Sequence, residues 1–98
     1  MGDEKRRYER IVIPGEVLIN HRDFIIQCWI ENISNYGAYL KVGSPINLQG
    51  IEIGDNVTFS ITTPNIATRE LSGRILRRSM EGENVYLAVY FIEPYTFG

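Results

Sequence analysis

Three arginines near the start of the chain, Arg6, Arg7 and Arg10, carry planar guanidinium forks. Each fork can grip a phosphate, or the O6/N7 edge of a guanine, through two parallel hydrogen bonds. With Lys5 they make a run of four cations, Lys5-Arg6-Arg7-Tyr8-Glu9-Arg10. In a helical turn Arg6 and Arg10 would stand about 6 Å apart along the axis. In an extended segment Arg6, Tyr8 and Arg10 would share a side, with the outer arginines roughly 13 Å apart. Either spacing suits a ligand with several acceptors. Taken alone, the run reads first as a solvated terminal tail. A second constellation, Asn32-Ile33-Ser34-Asn35-Tyr36-Gly37, changes that reading. Asn32 and Ser34, two residues apart, can offer donors and acceptors from one edge of a turn, beside backbone N–H groups able to cradle an anion. Gly37 supplies either a positive φ or room for a close approach. The same residue types also build an ordinary structural turn.

Other chemistries find no support. One histidine, His21, and one cysteine, Cys28, make no zinc site, and no glycine-rich phosphate loop ending in Lys-Ser or Lys-Thr is present. His21 has no marked nucleophile to activate and is expected to be a polar residue of a hairpin turn. The twelve carboxylates form no evident acid–base pair. No catalytic residue and no metal site are expected. Cys28, inside an apolar run, is expected to be a small buried hydrophobe.

The elements that must position these residues come from a chain of 98 residues, enough for one domain with one modest core. Its net charge of -2 and pI of about 5.3 argue against DNA or RNA as partner, since such domains carry a basic excess. The positive charge is local, at residues 5–10 and again at Arg74, Arg77 and Arg78, which favours a small anion. Trp29, Tyr36 and Tyr39 offer a base-stacking surface for single-stranded nucleic acid, a reading that the charge balance opposes. No apolar run approaches the ~20 residues of a membrane span, and no apolar stretch follows the basic residues as in a secretory signal. A cytoplasmic location without membrane insertion is expected.

From residue 16 onward, short runs of alternating apolar and polar residues are separated by Gly, Pro and Asn. Strands are expected at 16–21, 24–31, 37–42, 56–63, 68–78 and 84–92, with a weak strand or turn at 51–53. The last residues, from Tyr95, are expected to pack loosely. Six short antiparallel strands must protect their edges, which closure into a small barrel does more completely than a sandwich.

Together the two constellations resemble the PilZ domain family. Its signature pairs an RxxxR motif, here Arg6-Arg7-Tyr8-Glu9-Arg10, with [D/N]xSxxG after the second strand, here Asn32-Ile33-Ser34-Asn35-Tyr36-Gly37. Leu71-Ser72-Gly73-Arg74-Ile75-Leu76-Arg77 and Leu87-Ala88-Val89-Tyr90-Phe91 are similar to the family's last two strands, so the likeness covers nearly the whole chain. It implies an all-β fold, a six-stranded antiparallel β-barrel with a flexible N-terminal arginine arm and little or no C-terminal helix. The arm would span 1–13, the barrel 14–93 and a tail 94–98. The resemblance further implies a bacterial, non-catalytic receptor for the second messenger cyclic di-GMP, needing no cofactor and signalling to a downstream protein partner. Arg6, Arg7 and Arg10 would clamp phosphates and guanines, Asn32 would reach a guanine edge, Ser34 would assist, and Gly37 would let the turn come close. Lys5 and Arg77 are secondary candidates, Lys5 for the number of ligands bound and Arg77 for stacking on a base. The alternative is an interaction module of the same family that works through protein contacts without ligand.

Overall fold

Alternation of large apolar with polar side chains dictates where this chain runs extended. In Asn56–Thr63, Val57, Phe59 and Ile61 turn inward while Thr58, Ser60 and Thr62 face out. A computed structural model of the chain describes residues 14–21, 24–43, 51–64 and 66–96. These form six strands: β1 Glu16–His21, β2 Phe24–Ile33, β3 Gly37–Val42, β4 Asn56–Thr63, β5 Ile66–Glu81 and β6 Asn84–Phe91. All pair antiparallel, in the order β1-β2-β3-β6-β5-β4, and β4 returns to β1 with Glu16 opposite Thr62. The expected closed barrel is therefore the fold, and closure leaves no open edge among the described strands. No described residue is helical, and no described helix is long and apolar enough to cross a membrane.

Inward side chains from every strand fill the barrel, with Phe59 meeting Phe91 edge-on at 5.6 Å between ring centres. Cys28 lies wholly buried among them, as its apolar surroundings predict. Residues 51–55 run across one end of the barrel: Ile51 is buried, and the Gly54 amide donates to the Ile75 carbonyl at 2.7 Å.

Three strands depart from expectation in length: β6 ends one residue early at Phe91, and β2 and β5, each carrying a bulge, are longer. β2 continues to Ile33 because a register shift between Ile30 and Asn32 lets Glu31 and Asn32 both stay off the core before Ile33 turns in. β5 runs from Ile66 to Glu81, with a shift between Ile75 and Arg77 that leaves Leu76 and Arg77 both exposed.

Two single residues also differ from expectation. His21 ends β1 as expected, but it is buried, 7% exposed, instead of a polar turn residue, and its Nε2 lies 3.0 Å from Asp55 Oδ2. That carboxylate oxygen also accepts the Glu52 amide at 2.9 Å, so the pair pins the 51–55 crossing to β1. Tyr95 is fully buried, not loosely packed, with its ring centre 6.4 Å from that of Phe91. That phenol ring is thereby part of the apolar core.

Candidate ligand-binding site

The turn between β2 and β3 is built from its own polar groups. The Ser34 amide donates to the Gly37 carbonyl at 2.8 Å. The Ser34 hydroxyl donates to the same carbonyl at 3.3 Å and accepts the Tyr36 amide at 3.4 Å. Ser34 is accordingly buried, and what it fixes first is the shape of the turn. Gly37 does not adopt a positive φ. Its role is proximity: a Cβ there would stand 2.6 Å from the Val89 carbonyl oxygen of β6, closer than packed atoms can come. The absent side chain lets β3 start flush against β6, with Gly37 opposite Tyr90.

That contact brings β5 within reach of the turn. Ser34, Tyr36, Gly37, Tyr39, Arg77 and Tyr90 line one surface depression of about 260 Å3. Arg77 sits opposite Ala88 on β6, a small residue that leaves the guanidinium room above the sheet. The bulge at Leu76 keeps it outward, since strict alternation from the buried Ile75 would have turned it into the core. Asn32 lies beside this depression, opposite Tyr39 on β3 and half-buried. Tyr39 in turn stacks on Tyr86 with ring centres 5.2 Å apart, and its hydroxyl meets Ser79 Oγ at 3.2 Å. One face of Tyr39 is thereby occupied. The Tyr86 phenol is pushed up from its ordinary pKa by desolvation, then by the charges of Glu31 and Glu81, and stays neutral at physiological pH.

The described chain begins at Pro14, beside β2. The Gly15 carbonyl accepts the Ile30 amide at 3.0 Å. Asn32 follows two residues along β2, about 7 Å further. Pro14 and Gly15 thus lie against β2 near Asn32, lining a neighbouring depression with Trp29 and Thr63. Lys5, Arg6, Arg7 and Arg10 themselves lie outside the described residues.

The structure therefore brings Ser34, Gly37 and Arg77 to one depression and sets Asn32 at its side. Tyr36, part of the turn motif, also lines it, and so does Tyr90, which the motifs do not include. Period-two alternation in β6 does mark Tyr90 as outward, and it is 42% exposed. Nothing local says that Gly37 lies opposite it. No cluster of His, Cys, Asp and Glu among the described residues can hold a metal ion.

The PilZ domain family model matches residues 4–96. No curated protein sequence matches the chain. Among solved structures, the inhibitor of motility MotI/DgrA of Bacillus subtilis aligns with a TM-score of 0.73 at 19% identity, over 92% of this chain and 44% of that one. The PilZ domain with c-di-GMP of YcgR from Escherichia coli aligns with a TM-score of 0.70 at 14% identity, over 90% of this chain and 78% of that one. YcgR in complex with c-di-GMP gives 0.72 at 14%, over 90% of this chain and 38% of that one. At these identities the likeness is one of fold, and this chain spans less than half the length of MotI/DgrA.

Proposed function

The chain belongs to the PilZ domain family, and from that premise we propose that it is a non-catalytic receptor for cyclic di-GMP, acting in the bacterial cytoplasm and passing its state to a protein partner. The observation that carries this reading is the Gly15–Ile30 backbone bond. It holds Gly15, which follows the arginine segment in sequence, two residues along β2 from Asn32, and this supports a site shared by the two halves of the family signature. The ligand has two phosphodiesters and two guanines. Arg6, Arg7 and Arg10 supply forks for phosphate oxygens and for guanine O6/N7, with Lys5 adding charge behind them. Asn32 reads a guanine edge through its amide, and Ser34 lends a hydroxyl already held in place by the turn. Gly37, flush against β6, keeps the floor low enough for a base to lie on. Arg77 and Tyr90 offer a guanidinium plane and a phenol on which that base stacks. Support from the relatives is of the same kind: YcgR, with this fold, is a complex with c-di-GMP.

The switch is the arm itself. Closing residues 1–13 over the ligand costs ordering entropy, which lowers affinity but couples occupancy to a new surface. The deciding experiment is titration calorimetry with cyclic di-GMP on the wild-type chain and on Arg10→Ala. A dissociation constant near the micromolar range, about -8 kcal/mol, is expected for the wild type, with at least tenfold loss in the variant. No binding up to about millimolar ligand, or an undiminished Arg10→Ala, overturns the reading.

A further inference from the structure

Asn35 occupies one of the unspecified positions of the Asn-x-Ser-x-x-Gly turn, yet its side chain reaches far along the sequence. Its Nδ2 donates to the Tyr95 carbonyl at 2.7 Å, across 60 residues of sequence. The Tyr95 amide returns a bond to the Asn35 carbonyl at 2.6 Å, which closes a two-point clasp. One residue on, the Tyr36 carbonyl accepts the Phe91 amide at 2.9 Å. The middle of the turn is thus held from behind by the segment that leaves β6. That segment is itself anchored, because Tyr95 is fully buried against Phe91, which packs on Phe59. The front of the same turn, through Tyr36, Gly37 and the Ser34 hydroxyl, lines the depression that also holds Arg77. One face of four residues looks at the candidate site and the other grips the C-terminal segment.

We propose that Asn35 and Tyr95 form a latch that positions the binding turn and transmits its occupancy to the chain segment beyond β6. The inference rests on the receptor reading above and names the output side of that site. A backbone turn of four residues has few soft dihedrals, so a ligand that fixes Asn32, Ser34 and Tyr36 also fixes the Asn35 carbonyl and amide. By linkage the dependence is reciprocal: whatever strengthens the clasp strengthens ligand binding, and ligand binding strengthens the clasp. Pro94, directly before Tyr95, donates no backbone hydrogen bond, so after the Ile92 amide bonds the Ser72 carbonyl the stretch is next held at the clasp. The latch therefore opens or holds as a unit.

Asn35→Asp tests it, because the carboxylate keeps the shape of the amide and replaces the donor with a charged acceptor that repels the Tyr95 carbonyl; Asn35→Leu, which removes the donor without adding charge, is measured beside it and should behave alike. Amide exchange at Tyr95 is followed with and without saturating cyclic di-GMP, and the dissociation constant is measured on the same samples. In the wild type, ligand is expected to slow exchange at Tyr95. In Asn35→Asp, exchange at Tyr95 is expected to be faster, with ligand bound about tenfold more weakly. Asn35→Gln, which retains an amide donor on a longer stem, should recover part of both. Should Asn35→Asp lower the melting temperature while the dissociation constant stays at the wild-type value, Asn35 is a structural brace and the latch is overturned. Should the wild type bind cyclic di-GMP with exchange at Tyr95 unchanged, transmission is overturned and the receptor reading stands. If the wild type does not bind at all, both fall together.

Discussion

Single atoms decide whether this turn can exist. At Gly37 the obstruction to any side chain is the Val89 carbonyl oxygen, 2.6 Å from where a Cβ would sit. A backbone oxygen inside a paired strand cannot swing aside as a side chain could. Gly37→Ala is therefore expected to push β3 off β6 and cost about 2–3 kcal/mol, on the scale of overpacked cores. Urea unfolding measures this, and a midpoint equal to that of the wild type would refute the close-approach account. Cys28 makes the opposite case, of a reactive group silenced by its surroundings. Burial pushes its thiol from the ordinary 9.0 up to about 12. Because the folded value is the higher one, the thiol costs no stability below about pH 9. Stability then falls as pH rises from there toward 12, where the unfolded chain can ionise and the folded one cannot. At pH 8 the native thiol is expected to resist alkylation by iodoacetamide over hours and to react within minutes in denaturant. Fast labelling of the native protein would show that the barrel interior opens.

At the scale of elements, β1, β3 and β4 were legible to the residue, because alternation of inward and outward side chains needs no partner to be read. The bulges were not. A register shift is a property of two strands, and neither Ile30-Glu31-Asn32 nor Ile75-Leu76-Arg77 announces one. Tyr95 was misread for a related reason: its burial depends on Asn35 and Phe91, far off in sequence, and a short polar ending looks the same whether docked or loose. The site divided likewise. The Asn-x-Ser-x-x-Gly turn, Tyr36 included, could be found from its residue types, whereas Tyr90 belongs to the site only through the pairing of β3 with β6. The β5 bulge carries a functional consequence. By keeping Arg77 on the outer face it sets a guanidinium in the depression without a core contact. Arg77→Ala is accordingly expected to leave the unfolding midpoint unchanged while weakening cyclic di-GMP by about 0.5–2 kcal/mol, the range of a cation stacked on an aromatic system. Calorimetry beside a denaturant melt separates the two effects. A stability loss without an affinity loss would place Arg77 in the scaffold rather than the site.

For the whole molecule, closure makes the barrel one cooperative body. β1 pairs with β2 on one side and β4 on the other, and Phe59 of β4 meets Phe91 of β6 across the interior, so no strand can leave without opening the common core. Unfolding is expected to be a single transition. Any ligand that binds only the closed form then adds its free energy to the entire fold. At 100 times the dissociation constant that is about 2.7 kcal/mol. For a domain of this size each kcal/mol moves the melting point by roughly 4–8 °C, so cyclic di-GMP should raise it by about 10 °C or more. The arginine segment precedes the described residues, whose core runs from Val17 to Tyr95, and arginine is a residue type that seldom fills a core. Arg10→Ala should therefore melt at the wild-type temperature without ligand and show little of the rise with it. Guanosine 5′-monophosphate at the same concentration, with one base and one phosphate, can engage only part of the site and should shift the melt by far less. Equal shifts from the two nucleotides would mean that the barrel senses guanine alone, and the paired-phosphate clamp would have to be abandoned.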